Sequence, residues 1–259
     1  MDSTLAVPLA TDPLASSPHR LIGTYRLRMA ADRADLERAF RLRYLVFNLE
    51  LNEGLAGAHR TGLDEDPFDA VCDHLLVEHA VTGQVVGTYR MQTGLSAARN
   101  LGYYSAREFD FSPYERFRHE LVELGRACIH RDHRSFEVLT LLWRGIAYYA
   151  MAHRTRLLVG CSSVTTQDPS EGAALYHALH DYQVDSELRT RPLPDFAIPL
   201  ELGDVRSPRP PKLLRAYLSL GAQICGAPAI DREFGTIDFL TLLDLHKLVP
   251  SARARFMEG

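Results

Sequence analysis

The centre of the chain carries the pattern that most limits its fold. Residues 120–129 (ELVELGRACI) have the pattern of a strand, residues 136–153 that of a long apolar helix, and residues 156–164 (RLLVGCSSV) that of a nearly continuous apolar strand. Continuous apolar strands are typical of strands buried on both faces of a sheet. A strand, a helix and a second strand in this order predict a βαβ unit with parallel strands and a right-handed crossover.

Segments on both sides of this unit add further elements. Residues 24–29 alternate polar and apolar side chains, which predicts a strand, and residues 35–51 have apolar side chains at helical spacing. Residues 73–80 and 84–92 predict the two strands of a hairpin. Other helices are predicted over about 95–100, 169–182 and 212–220, and a last strand over 236–245. The fold class is therefore α/β, with one mixed sheet.

The expected domain organisation is simple. Residues 1–20 are rich in Ala, Ser and Pro and predict a flexible N-terminal arm. Residues 21–259 predict a single domain that includes a C-terminal helix–strand extension from about residue 207. The 259-residue chain is 46% hydrophobic and 24% charged, which is typical of a soluble protein with a sizeable core and excludes disorder for most of its length.

Composition also excludes several functions. A formal net charge of −4 argues against binding of nucleic acid through bulk positive charge. The sequence has no apolar run of about 18 residues, as a membrane span requires, and its N-terminal stretch lacks the basic start of a secretory signal. The four cysteines lie far apart with no C-x-x-C pair, which favours free thiols in a reducing cytosol over a zinc or redox motif.

Partial metal motifs do not predict a metal site. HELVE at 119–123 lacks the final His of H-E-x-x-H and is expected on a strand, where the helical two-ligand geometry fails. DEDPFD at 64–69 begins like a calcium loop, but Asp69 stands where glycine is required and Leu75 where glutamate is required. We expect no metal and no bound cofactor.

The segment VELGRAC (122–128) is the best candidate for chemistry. Glu123 and Arg126 would point to opposite faces of a regular strand, because they are three residues apart. Gly125 between them is a natural position for a β-bulge, which would bend the strand and expose backbone N–H groups. Such a strand beside a helix N-terminus can bind the pantetheine arm of an acyl thioester. The alternative is a structural ion pair between Glu123 and Arg126.

Six segments, in this order, resemble one family. They are RLRYLVFNLE (41–50), LDEDPFDAVCDHLLV (63–77), GQVVGTYRM (83–91), ELGRACIHRDHR (123–134), LLWRGIA (141–147) and LLRAYLSLGAQICGAPAIDREFGTIDFLTLLDL (213–245). The sequence resembles the GNAT-related N-acyltransferases that include the hemolysin-like ornithine acyl-carrier-protein acyltransferases, and more distantly the acyl-homoserine-lactone synthases. The last segment favours the ornithine branch. The resemblance implies a GNAT-like mixed central sheet flanked by helices.

The same resemblance implies an activity. A long (3-hydroxy)acyl chain would move from the phosphopantetheine thioester of acyl carrier protein to the amino group of an amino acid. Ornithine is favoured, which would give a lyso-ornithine lipid, and lysine, glutamine or glycine are alternatives that would give another N-acyl amino acid. The alternatives are an acyl-homoserine-lactone-like synthase and a non-catalytic acyl-carrier-protein-binding module. Because the product is amphiphilic, we expect a cytoplasmic enzyme with peripheral contact at the inner face of the membrane. Residues 213–220 and the basic tail with Arg253 and Arg255 are the expected contacts, unless they only cover the core.

Site residues are also implied by the resemblance. The residues that match its motifs are the acidic cluster Asp64, Asp66 and Asp69, then Arg90, Glu123 and Arg126, with Arg41 and Phe47 on the first helix. A protonated α-amine needs a base, and Glu123 is the candidate, with Arg126 beside it as the second catalytic residue. The acidic cluster would hold cationic ornithine, and Arg90 or Arg126 its carboxylate. The alternatives are a solvated acidic loop for the three aspartates and structural salt bridges for Arg41, Arg90 and Arg126.

One loop departs from the family pattern. GNAT enzymes that use acetyl-CoA have glycines at the start of the central helix, where backbone N–H groups bind the pyrophosphate. Here residues 134–138 read RSFEV, without glycine and with an added carboxylate. We therefore expect acyl carrier protein as the donor, contacted by Arg131, Arg134 and Ser135.

Overall fold

A computed structural model describes Leu14 and residues 20–201 and 209–257. In these residues nine strands form one sheet. The strands are β1 (Leu21–Ile22), β2 (Tyr25–Met29), β3 (Asp73–His79), β4 (Val85–Thr93), β5 (Leu121–Ile129), β6 (Leu157–Val164), β7 (Gln223–Ile224), β8 (Ala229–Asp231) and β9 (Thr236–Asp244). Their order is β1-β2-β3-β4-β5-β6-β9-β7, and β8 pairs with β9. Strands β5 and β6 are parallel and the other described pairs are antiparallel, which confirms the mixed sheet.

Helices lie on both faces of the sheet. They are α1 (Arg33–Tyr44), α2 (Ala58–Thr61), α3 (Gly94–Arg99), α4 (Phe136–Ala152), α5 (Pro169–Ala178), α6 (Lys212–Leu220) and α7 (Pro250–Met257). The helix predicted over 35–51 is α1, which continues as a π-helical turn over Leu45–Glu50. None of the described helices has both the length and the apolar character that a membrane crossing requires.

Successive side chains of each strand point to opposite faces of the sheet, and each face carries its own apolar layer. Leu158 and Val122 point to the face covered by α4, here called the α4 face, where Leu142 and Ile146 pack. Their strand neighbours point to the opposite face, where Tyr103, Phe111 and Tyr114 form a second core. Helix α1 also covers this opposite face, and α5 and α6 lie on the α4 face.

The position of the central helix, α4, follows from its N-terminal cap and from its close packing on the sheet. The Ser135 hydroxyl accepts from the Val138 N–H over 3.4 Å and caps α4. Midway along the helix, a Cβ at Gly145 would lie 2.5 Å from Leu75 Cδ2, so only glycine allows α4 to pack this closely on β3. The helix therefore rests directly on the sheet, with its first turn at the end of β5.

Some expectations need correction. His119 and Glu120 belong to a 3₁₀ segment, Ser112–Glu120, so HELVE lies on a strand only from Leu121. Most of the expected flexible arm lies outside the described residues, and so does residue 207, where the extension was expected to begin. The described arm residue Leu14 is fully buried in the core of the α4 face, so at that point the chain is packed. All four cysteines are free, as expected.

Candidate active site

The two parallel strands pair over only a short distance. Their register begins at Leu121 and Leu157 and ends at Glu123 and Val159, although both strands continue further. Beyond that point the facing backbone edges of β5 and β6 are not paired with each other. The sheet therefore has a gap in its centre, at the end of the VELG segment.

A cavity of about 330 Å³ occupies this gap and is lined from both faces of the sheet. From the α4 face it is lined by apolar and aromatic side chains, which we call the apolar half: Tyr89, Trp143, Leu158, Tyr217 and Leu243. From the opposite face it is lined by the charged side chains of four acids and two arginines, Arg90 and Arg126. We call this the acidic half after its carboxylates: Glu53, Glu123, Asp231 and Asp238. The two halves meet where β5 and β6 separate.

Glu123 stands at this meeting point and is only 4% exposed. Its carboxylate accepts hydrogen bonds from Gln92 Nε2 at 2.6 Å and from the backbone N–H groups of Tyr104 at 2.8 Å and Ser105 at 2.7 Å. Three donors hold the side chain in one position. No ion pair joins Glu123 to Arg126 in the described residues, so the structural Glu–Arg pair is wrong.

The predicted bulge is present but lies one residue further along. Arg126 and Ala127 together stand opposite Tyr89 of β4, while Gly125 is in register with Arg90. Arg126 adopts a φ of 50°, which is uncommon for a residue other than glycine. The bulge turns the Arg126 side chain to the same face as Glu123, where it contacts the ring of Tyr104 at 5.0 Å.

Three arginines and three aspartates form a buried ionic cluster beside the cavity, here called the Arg–Asp cluster: Arg43, Arg90, Arg126, Asp64, Asp66 and Asp69. Arg43 bonds Asp64 and Asp69, each at 2.7 Å. Arg90 donates to Asp66 at 2.7 Å and Arg126 to the same carboxylate at 2.9 Å. Equal numbers of opposite charges make the cluster neutral.

This pairing corrects the role expected for the aspartates. Burial alone would raise the pKa of Asp69, but Arg43 and Arg90 hold that pKa below its usual range. In the same way Arg90 and Arg126 outweigh burial and lower the pKa of Asp66. The aspartates do not line the cavity, whereas Arg90 and Arg126 do. They position these arginines and do not contact the space where an acceptor would lie.

The resemblance selected the wrong arginine of the first helix. Arg41 is exposed and lies away from the cavity, whereas Arg43 is completely buried and its guanidinium stacks 5.0 Å from the Phe40 ring. A usable signal was the spacing: position 43 shares the apolar face of the helix with Phe40 and Phe47. Phe47 lines the cavity as expected and packs on Phe234 at 5.4 Å.

The residues expected to contact the carrier protein lie at the start of α4, outside the cavity. The Arg131 side chain is 72% exposed. Arg134 forms an ion pair with Glu50 at 2.7 Å and donates to the Ile129 carbonyl at 3.2 Å, so it is already engaged. Ser135 is the cap of α4. Arg131 pairs with the exposed neighbouring Asp132 at 3.8 Å, so it is the more accessible of the two arginines.

Sequence reasoning missed the other carboxylates of the acidic half. Asp238 lies in a strand that otherwise reads as apolar (TIDFLTLLDL), and Asp231 lies at the end of β8. A buried charge in an apolar strand needs a partner or water. As at Glu123, an acid flanked by apolar residues was the usable signal at Asp238.

Comparison with known proteins agrees with this geometry. Residues 42–144 match the acetyltransferase (GNAT) domain. The chain is 34% identical over 247 residues to L-ornithine N(alpha)-acyltransferase of Agrobacterium fabrum, covering 88% of this chain and 83% of the relative. It is 32% identical over 253 residues to the Rhodobacter capsulatus protein of the same name, covering 91% and 97%. The chain belongs to the L-ornithine N(alpha)-acyltransferase family. It is therefore an N-acyltransferase.

Solved structures confirm the fold of this ornithine acyltransferase family member. The N-acyl amino acid synthase FeeM from uncultured soil microbes superposes with a TM-score of 0.53 at 12% identity, covering 90% of this chain and 96% of FeeM. The acyl-homoserine-lactone synthase LasI gives 0.52 at 15% identity, covering 92% and 97%. The expected GNAT-like sheet is thus confirmed.

Proposed function

We propose that the protein transfers a long acyl chain from the phosphopantetheine thioester of acyl carrier protein to the α-amino group of ornithine, giving a lyso-ornithine lipid. The observation that carries the proposal is the cavity at the gap between β5 and β6. Its apolar half fits a hydrocarbon chain and its acidic half a cationic amino acid. The two halves meet at Glu123, where the new bond would form.

The apolar half has the properties of an acyl-chain site. Trp143 and Tyr217 pack edge to face at 5.7 Å, and Tyr217 shares a hydrogen bond with Tyr89. Helix α6 therefore covers this half from outside the sheet. Burial of methylene groups against such walls contributes about 0.8 kcal/mol each, so a long chain is favoured over acetyl.

The gap in the sheet suits the pantetheine arm. Its amides can bond the facing edges of β5 and β6 as an added strand would, since those edges are unpaired with each other there. This places the thioester carbonyl beside Glu123. Backbone N–H groups of the bulged strand would stabilise the oxyanion that develops on that carbonyl.

The proposed reaction is an aminolysis of the thioester. Glu123 accepts a proton from the α-ammonium group, directly or through one water, and leaves a nucleophilic amine. The nitrogen attacks the thioester carbon, the C–S bond breaks, and the carrier thiolate takes up the second proton that the nitrogen loses as the amide forms. The proton on Glu123 passes to water. Arg126, which lines the cavity beside Glu123, is placed to hold the carboxylate of the amino acid.

A product analysis tests the proposal. Purified enzyme is incubated with 3-hydroxyacyl carrier protein and ornithine, and the products are identified by mass spectrometry. We expect N-acyl ornithine with the amide on the α-nitrogen. A lactone product, or carrier protein that remains acylated with every amino acid offered, would refute the proposed function.

We also propose peripheral association with the inner face of the cytoplasmic membrane. Leu214 and Leu218 of α6 face the core, and Phe256 of α7 stacks on Trp143 at 5.7 Å, so much of both helices covers the interior. The exposed Leu213 and Arg255 support a contact with anionic lipid. Flotation with anionic liposomes at low salt tests it, and absence of co-migration would contradict it.

A further inference from the structure

A second group of acids lies at the far end of the acidic half. The ligand atoms of Glu108, Cys161 and Asp238 all lie within 4.8 Å of one another, and Asp231 adjoins them on β8. The side chains of the three acids are buried, and Asp238 is only 4% exposed. Asp238 Oδ1 and Glu108 Oε2 have no hydrogen-bond partner among the described residues.

These acids also lack a buried cation. The Arg–Asp cluster has one arginine for each aspartate, whereas no ion pair to Glu108, Asp231 or Asp238 occurs in residues 20–201 and 209–257. The neighbouring Arg107 is half exposed and pairs with Glu233 at 3.3 Å. Burial and the neighbouring Asp238 raise the pKa of Glu108 to about 10, so Glu108 is neutral at pH 7 and Asp238 is the buried carboxylate that lacks a counter-charge. Such a buried charge is costly, so the arrangement is suited to a cation that arrives from outside.

The positions of Cys161, Ser105 and Glu123 indicate that this cation belongs to the acceptor amino acid. Cys161 lies between the two ends of the acidic half: its thiol donates to Ser105 Oγ at 3.5 Å, and the Ser105 N–H donates to Glu123 at 2.7 Å. An amino acid with its α-nitrogen at Glu123 would therefore extend its side chain past Cys161 toward Asp238. The exposed Ser163 and Thr165 line the same cavity and leave its rim open.

We infer that Asp238, with Asp231 beside it, binds a second ammonium group of the acceptor and so makes the enzyme selective for diamino acids over neutral amino acids. The inference rests on the proposed function and extends it to substrate selection. Ionic hydrogen bonds to one buried carboxylate give roughly a tenfold to hundredfold preference.

A metal ion is the competing occupant. Glu108, Cys161 and Asp238 could in principle supply three ligands. Burial raises the pKa of the Cys161 thiol well above its usual range, so a metal ion would have to displace the thiol proton in order to bind there. A neutral thiol is instead suited to contact the methylene groups of an amino acid side chain.

The test compares two acceptors with one acyl carrier protein thioester. Ornithine and norvaline differ only in the terminal ammonium group. For the wild-type enzyme we expect kcat/KM to be about 10 to 100 times higher for ornithine. Asp238→Asn should lower kcat/KM for ornithine by a similar factor and leave that for norvaline nearly unchanged. Asp185→Asn removes the same charge from an exposed position and serves as the control.

Each result decides a separate question. Equal use of both acceptors by the wild-type enzyme would overturn the inference and leave the proposed acyl transfer intact, whether or not Asp238→Asn folds. Loss of the ornithine preference on treatment with a chelator would assign the acids to a metal and also overturn it. Transfer to neither acceptor would refute the proposed function, and the inference with it.

Discussion

The Arg126 guanidinium donates to Asp66 over 2.9 Å from a backbone held in the left-handed region, at a φ of 50°. For a residue other than glycine this conformation costs about 1–3 kcal/mol, so the surroundings must hold it. The ion pair and the ring of Phe234, 4.6 Å from the guanidinium, provide that hold. The strained backbone of Arg126 and its charged side chain therefore both lie at the wall of the cavity, next to Glu123.

Replacement of Glu123 tests the catalytic base. Glu123→Gln removes the proton acceptor, and we expect turnover at saturating substrate to fall by at least about tenfold. Glu120→Gln, three residues earlier, removes an acid that pairs with Arg156 away from the cavity and serves as the control. Thermal unfolding of both variants checks the fold, because the new amide must be accommodated among three donors. Unchanged turnover in Glu123→Gln would exclude its role as the base.

Arg43 is expected to be essential for stability. Arg43→Met leaves Asp64 and Asp69 buried without their main partner, which should lower the free energy of unfolding by about 3–5 kcal/mol. Arg41→Met, on the same helix but exposed, should change it by about 0.5 kcal/mol or less. Urea denaturation of the two variants compares them directly. Similar losses in both would contradict the buried cluster.

Asp238 is expected to lower stability at neutral pH. Burial, with a contribution from Asp231, raises the pKa of Asp238 to about 6. The folded protein binds the proton of the Asp238 carboxyl group more tightly than the unfolded chain does. In acid, protonated Asp238 therefore makes a favourable contribution to the free energy of unfolding. It is lost as the pH rises through about 6.

Asp238→Asn should therefore raise the free energy of unfolding at pH 7 by about 1–3 kcal/mol and have little effect near pH 4. Chemical denaturation at the two pH values measures this. A purely structural aspartate would give the opposite sign at pH 7, since its loss would destabilise the fold.

The acyl donor is predicted from the start of α4. Arg131→Glu should reduce kcat/KM for an acyl chain on acyl carrier protein, and the reduction should shrink as salt is added, because exposed charges mainly steer association. The same chain on coenzyme A should be used less well by the wild-type enzyme and be little affected by the variant. Arg134→Glu would also break the ion pair with Glu50, so Arg131 gives the cleaner comparison. Equal use of both carriers would contradict the prediction.

The sequence was most informative where one element carried its own pattern. Helix α6 has the predicted bounds, and β9 and α4 end within one residue of them, because periodicity and caps are local. Only the aspartates of the Arg–Asp cluster could be recognised as a group from the sequence. Its aspartates form one run in the sequence, but Arg43, Arg90 and Arg126 come from three separate elements. Without the fold, an acidic run cannot be distinguished from a site for a cation.

The acidic end of the cavity was missed for a related reason. Asp238 is a carboxylate within a largely apolar strand segment, and Glu108 lies in a segment without clear periodicity. The proximity of Asp238 to Cys161 arises from the pairing of β6 with β9, which brings Cys161 opposite Leu240, two residues from Asp238. That pairing joins residues far apart in the chain, and no local pattern specifies it.

The short register between β5 and β6 has a consequence for the mechanics of the molecule. Strands β1 to β5 form one continuous ladder and β6 to β9 another, and three residue pairs connect the two ladders at Leu121–Glu123. This short seam between two long strands thus coincides with the place where an acyl donor would bind. A pantetheine arm bound there would pair with both strand edges, as an additional strand would, and would connect the two ladders. Amide protons along the seam should then exchange with solvent more slowly in the donor-bound enzyme than in the free one.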